Sequence, residues 1–436
     1  MNVSRAVASR LGLGAFAALA LATAAALAPR AGLANSTITD IPRECRMDSF
    51  RVGADGKGAP EKIFSTNMLG QWGPHAFHAS HDRKTTIFYR FDGITVVSGS
   101  ESRDYKVNIV YKQVWWSPDN KRILFWVPEG VALADLDSLG KPGGPLTYKV
   151  VYKKKPDRKP FGAQWSPTGN SFYIAEHYQE AVKNVMVQGG AVQVVSLDGA
   201  AREILHDPKL VTFLLSTARF ENGSGASQDP FKLVLLETDG LAVSGADGQA
   251  PEKLNDFTAE GLQDLIVSPD SKKFLVRLAK DQVSSDKKTL YRGVYLGHID
   301  RFAKGKPFEM EALYAKNTAH TIWFSPTGKY ATWASADAVA FRAVDGKAGS
   351  EVNIPFTDRG ELPIKGVAWD KGETRLAIAC GNRIYLYDVD KKATTLLAKV
   401  GDDPKMFVAD PVWRGEEILF TQFTDTAVPR SAPPPK

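Results

Sequence analysis

Histidine and cysteine are scarce in this chain, seven and two among 436 residues. There is no Cys-x-x-Cys pair, no His-Glu-x-x-His and no Cys-x-x-Cys-His, so the common zinc, metalloprotease and haem-attachment patterns are absent. Neither a Gly-x-Ser-x-Gly elbow nor a phosphate-cradling Walker loop occurs. Beyond the first thirty residues no apolar run approaches the length needed to span a bilayer. Charge of one sign is lacking too: 55 Lys and Arg stand against 49 Asp and Glu, giving +6. With 43% hydrophobic and 24% charged residues, the composition is that of a globular protein.

The N-terminal segment reads as an export signal. Arg5 and Arg10 precede an Ala- and Leu-rich run over 11–28, and Gly32-Leu33-Ala34 offers small residues before a cut at Asn35. Ala26-Leu27-Ala28 is a rival cleavage site, and retention of the run as an uncleaved anchor is the other alternative. Removing residues 1–34 takes away Arg5, Arg10 and Arg30, so the charge falls to +3. That is too little to draw a polyanion, and no nucleic-acid partner is expected. An oxidising compartment permits a bridge between Cys45 and Cys380, with two separate buried thiols as the alternative.

What the chain has in abundance is a repeat. VWWSPDNKRILFW at 114–126 recurs as AQWSPTGNSFYIA at 163–175, LIVSPDSKKFLVR at 265–277, IWFSPTGKYATWA at 322–334 and, degraded, VAWDKGETRLAIA at 367–379. Each copy is an apolar run, a Ser-Pro-Asp or Thr-Gly turn and a second apolar run, which predicts an antiparallel hairpin. Intervals of 49 residues from Ser117 to Ser166, 57 from Ser268 to Ser325 and 45 from Ser325 to Asp370 predict four-stranded propeller blades.

The expected fold is therefore all-β: one β-propeller over 35–425, with a disordered Pro-rich tail at 426–436. Residues 47–65 read as two outer strands lacking an inner pair, and 411–423 as an inner pair lacking outer strands. The ring then closes by N- and C-terminal strands sharing one blade. Seven further units begin near His75, Lys112, Phe161, Leu210, Gln263, His320 and Lys365, which makes eight blades, with seven as the alternative count. The fourth unit has lost its turn motif to a polar insert at 221–229.

Trp115, Trp116, Trp165, Trp323 and Trp369 fall where blade-to-blade packing is needed, so they are read as core rather than as a ligand platform. His75, His78 and His81 cannot share a metal, because in extended chain the outer two stand roughly 20 Å apart. No metal or cofactor is expected. The position five before the turn residue, where the chain enters the inner strand, carries His75, Lys112, Phe161, Gln263, His320 and Lys365. The polar five are the candidate ligand- or partner-binding residues at the channel mouth, able to hold a carboxylate, a phosphate or an acidic side chain. Insertions at 177–190 and 280–291 are expected on the same face, beside the basic connector 153–159.

The Ser-Pro-Asp/Thr-Gly/Asn-Lys turn following an aromatic resembles the repeat of the TolB-type propeller and its WD40-like relatives. That resemblance implies a monomeric, non-catalytic binding module of the bacterial periplasm with an envelope protein partner. The chain departs from TolB in lacking room for an α/β domain ahead of the first inner strand. The alternative is a secreted hydrolase or lyase, with His75 and His320 as acid/base groups and Lys112 and Lys365 as anion clamps.

Overall fold

The structure, a computed structural model, describes residues 44–425 apart from short connecting segments such as 70–76, 216–231 and 300–309. The segment read as an export signal, the Pro-rich tail and the insert at 221–229 lie outside the described residues. Within them the strands form eight four-stranded antiparallel sheets. Seven are built in simple chain order, and we number them as blades 1 to 7: 77–106, 114–153, 158–207, 210–255, 262–314, 319–353 and 364–399. The eighth places Met406–Arg414 innermost, then Glu417–Asp425, Glu44–Gly53 and Glu61–Leu69. A ladder from Cys45↔Asp425 to Gly53↔Glu417 joins the chain ends. The protein is an eight-bladed β-propeller closed by a shared blade, with both halves longer than the sequence pattern marked.

The second strand of each blade explains why these residues make a ring. Arg122–Val127 (RILFWV) and Arg375–Cys380 (RLAIAC) are buried almost throughout, on both faces, so neither alternates as a half-exposed strand would. Outer strands such as Glu101–Lys106 are nearly all exposed. Both faces of a blade must therefore be covered by neighbours. Eight apolar clusters do this, one at each blade interface. The closing contact between blades 8 and 1 is made by Met47, Phe77, Phe88, Leu419 and Phe423.

The repeated turn is fixed by its serine. In blade 2, Ser117 is fully buried; its hydroxyl donates to Asp119 and accepts the Arg122 amide at 2.9 Å, while Asn120 N–H donates to Ser117 O at 2.9 Å. Ser268 repeats this with Asp270 and Lys273, and in blade 7 the Asp370 carboxylate takes over by accepting from the amides of Thr374 and Arg375. Ser80, with His81 in the place of proline, makes the same turn in blade 1.

The tryptophans are core, as the sequence predicts: all five named above are at most 7% exposed. Trp165 donates its indole N–H to Trp115 O at 2.9 Å, and Trp413 donates to Ala368 O at 2.8 Å, each reaching from its own inner strand to that of the preceding blade. An arginine covers each indole: Arg122 lies 5.3 Å from the Trp165 ring and Arg375 4.8 Å from Trp413. The turns touch as well. Gly169 (φ +69°) has only 3.4 Å between a would-be Cβ and Pro118, so glycine serves both the turn and the contact. Arg83 in the blade 1 turn donates to Trp369 O of blade 7 at 3.3 Å, which ties together the two blades flanking the closing one.

Cys380 is buried in blade 7. The Cys45 side chain lies outside the described residues, and with it the anticipated bridge.

Trp413→Phe removes the indole N–H that reaches the Ala368 carbonyl across the interface of blades 7 and 8, together with part of the buried ring. It is expected to lower the unfolding free energy by about 2 kcal/mol in urea denaturation at an unchanged m-value.

Candidate functional site

Antiparallel pairing puts the start of every inner strand and the hairpin between second and third strands at one end of the blade. Both therefore open onto one face of the ring, the mouth face. Near this end the inner strands lose register by one residue: between Pro160 and Gly162, Leu210 and Thr212, Leu262 and Asp264, Ala319 and Thr321, and Ile364 and Gly366. The residues left out of the ladder are Phe161, Val211, Gln263, His320 and Lys365. Four of these five are the positions that the sequence marks ahead of the turn residue. They are β-bulges, which turn a side chain out of the regular alternation of a strand and are enriched beside functional sites.

His75 and Lys112 lie outside the described residues, as do the side chains of Phe161 and Gln263. His320 and Lys365 are described, and both face the next blade. His320 Nε2 donates to Ile364 O of blade 7 at 2.8 Å. That hydrogen bond fixes the tautomer of the neutral ring and leaves Nδ1 buried, with no partner among the described residues. Burial, reinforced by the nearby charges of Arg277 and Lys365, holds the His320 imidazole below the usual histidine range despite the carbonyl it donates to. Lys365 Nζ stands 5.5 Å from the centre of the Phe407 ring in blade 8.

Sequence reasoning missed two members of this arc. Arg277 pairs with Asp264 and donates through Nη1 to Ala319 O at 3.0 Å. A line of polar links thus runs from blade 5 to blade 8 along the mouth. Asp264 directly follows the marked position, but its partner across the hairpin is found only once the bulge has set the register.

A second polar cluster, also missed, lies on the mouth face between blades 2 and 3. Tyr152 donates its hydroxyl to Glu176 Oε1 at 2.6 Å, and Glu176 is fully buried with Oε2 unpartnered among the described residues. Burial raises the Glu176 carboxyl above its usual range, against the opposing effects of the Tyr152 hydroxyl and of Lys155 and Arg158. Burial and the adjacent Glu176 push the Tyr152 hydroxyl well above its own. Arg158 Nη1 lies 3.0 Å from Glu203 Oε2, and Gln193 Nε2 donates to the same oxygen at 2.7 Å.

Two hairpins rise beyond their blades here, at the expected insertions. In blade 3, Ser171–Val182 and Val185–Ser196 pair with each other along their whole length, whereas the inner strand stops at Arg158↔Tyr178 and the outer at Gly190↔Asp207. In blade 5, Gln282↔Tyr291 and Val283↔Leu290 extend past the last inner-strand pair, Leu262↔Leu278. Among the described residues neither ribbon is continued by ladder pairs to an inner or an outer strand. Among the described residues no group of three His, Cys, Asp or Glu has metal-binding geometry.

No family model and no curated protein matches the chain, so the TolB-type likeness stays a likeness of the repeat. Solved structures similar in shape include an oligogalacturonate lyase from Vibrio parahaemolyticus (TM-score 0.47, 11% identity, 88% of this chain and 98% of that one). Others are a prolyl endopeptidase (0.48, 12%, 78% and 51%) and a dihydro-heme d1 dehydrogenase (0.49, 11%, 81% and 73%). The chain spans about half the length of the endopeptidase.

A histidine whose folded pKa is depressed takes up a proton more readily when unfolded, so its stabilising effect is present above ~pH 6.5 and fades as pH falls through its folded value. His320→Gln is expected to flatten the loss of stability between pH 6.5 and 5, against a ceiling of about 1.4 kcal/mol per pH unit for one proton. Parallel urea titrations at several pH values measure this, and unchanged slopes would place His320 outside the acid response.

Proposed function

We propose that this protein is an exported, periplasmic, non-catalytic module of the cell envelope, TolB-like in role, that takes a protein partner on its mouth face. The observation that carries this reading is the last described pair of the blade 5 ribbon. Val283 and Leu290 stand opposite each other there, 55% and 46% exposed. A cross-strand apolar pair left in water on a raised ribbon has no packing duty in its own blade. It is the kind of small apolar anchor that an interface buries at its centre. Lys365, half-buried at the bulge of blade 7, offers positive charge on the same face to an acidic partner.

A second reading, a hydrolase or lyase acting at the mouth, is favoured by Glu176, a buried carboxyl held toward its neutral form. His320 supports the enzyme less than its position suggests, because one ring nitrogen is engaged by Ile364 O and the other is shielded from solvent.

The test is site-specific photo-crosslinking from positions 283 and 290 of the mature protein, from Asn35 onward, in its own cell envelope. A single protein adduct is expected from both positions and none from Leu396, which is exposed on an outer strand. Val283→Asp/Leu290→Asp should weaken capture of that partner at least tenfold while the unfolding transition stays in place. No adduct at either position, with turnover of an anionic or sugar substrate that Glu176→Gln abolishes, would establish the enzyme in its stead.

A further inference from the structure

The base of the blade 3 ribbon holds an arrangement that neither reading uses. His206, on the outer strand Ala201–Asp207, is held between two carboxylates: Nδ1 lies 3.0 Å from Glu203 Oε1 and Nε2 lies 3.2 Å from Glu180 Oε1. Glu203 belongs to the same strand as His206. Glu180 belongs to the second strand, two residues beyond the last inner-strand pair at Tyr178, and so to the raised ribbon. The ring of His206 stacks on that of Tyr178, with centroids 4.0 Å apart and planes 24° from parallel. The guanidinium of Arg158 lies 5.2 Å from the same tyrosine ring. Gly189, across the ribbon from Tyr178, has no room for a side chain, since a Cβ there would sit 2.5 Å from the tyrosine oxygen.

We propose that His206 is a pH-operated clasp, which holds the raised ribbon of blade 3 against its own blade firmly when the imidazole carries two protons and loosely when it carries one. A neutral imidazole has one N–H, so it donates to Glu203 or to Glu180 but not to both. The imidazolium donates to both, each bond is charge-assisted, and the cation gains from the tyrosine face beneath it. Most of the charges around it act in one direction. Glu203 and Asp207 on its own strand and Glu180 on the second strand favour the cation. Arg158 on the inner strand opposes it, but lies toward Glu203 and is partly neutralised there. The third strand contributes the uncharged Gln193, which also donates to Glu203. The clasp therefore tightens when the imidazole takes up its second proton and loosens when it gives that proton up.

On the partner-binding reading, this makes the mouth face stiffer in mildly acidic surroundings; the clasp itself does not depend on a partner. Amide hydrogen exchange over 179–182 and 185–189 in the full mature protein tests it, with rates corrected for intrinsic exchange at each pH. Protection of these amides is expected to be about five- to tenfold greater at pH 5.5 than at pH 8. His206→Gln should abolish that step and Glu180→Gln should reduce it, while amides of blade 7 remain unaffected in both. Equal protection at the two pH values in the wild type, or a full step retained in His206→Gln, would overturn the clasp. Either result leaves the crosslinking at 283 and 290 to be judged separately.

Discussion

The burial of both faces of every blade is the constraint on which this molecule rests. A four-stranded sheet whose second strand reads RILFWV or RLAIAC cannot leave either surface in water, and among the described residues no layer of helices is present to cover one. Each blade is instead covered by the next, so the eight apolar clusters lie at the interfaces rather than inside the blades. The arrangement is satisfied only when the last interface is made. This is why two strands from each end of the chain combine in one blade, and why Arg83 reaches across that blade to Trp369.

Polar links follow the same logic. The indoles of Trp165 and Trp413, the imidazole of His320 and the guanidinium of Arg277 all donate to a main-chain carbonyl in an adjacent blade. Each of those carbonyls belongs to the inner strand of its blade, so the links run from one blade to the innermost strand of a neighbour. Several of the residues that look like channel chemistry are therefore struts, and the surfaces left for recognition are the raised ribbons and whatever the bulges turn outward.

The fold was legible because it is stated many times over. A buried serine in a five-residue turn, with an aromatic before it and an apolar strand after it, is copied often enough for period and blade number to be read directly. The candidate site was legible in position but not in role. Counting back from the turn residue finds the bulged position in blades 3, 5, 6 and 7, because the bulge keeps a constant distance from the turn. It does not reveal that His320 is tied to Ile364, since that depends on the spacing of two blades. The Tyr152–Glu176 pair and the His206 clasp were invisible for a similar reason. Tyr152 and Glu176 stand 24 residues apart on different blades, and His206 and Glu180 stand 26 apart on different strands, so neither contact forms a motif.

The closing ladder has a mechanical consequence. Residue 44 begins one of its strands and residue 425 ends the other, with Cys45 facing Asp425, so both chain ends leave from the same end of the pair. Tension applied between them would load the hydrogen bonds one after another, as a zip is opened, rather than all at once in shear. A ring held by eight interfaces in solution is thus sealed by a seam that yields readily to a pull on its ends. Anything tethered to both termini would have a low-force route to opening it.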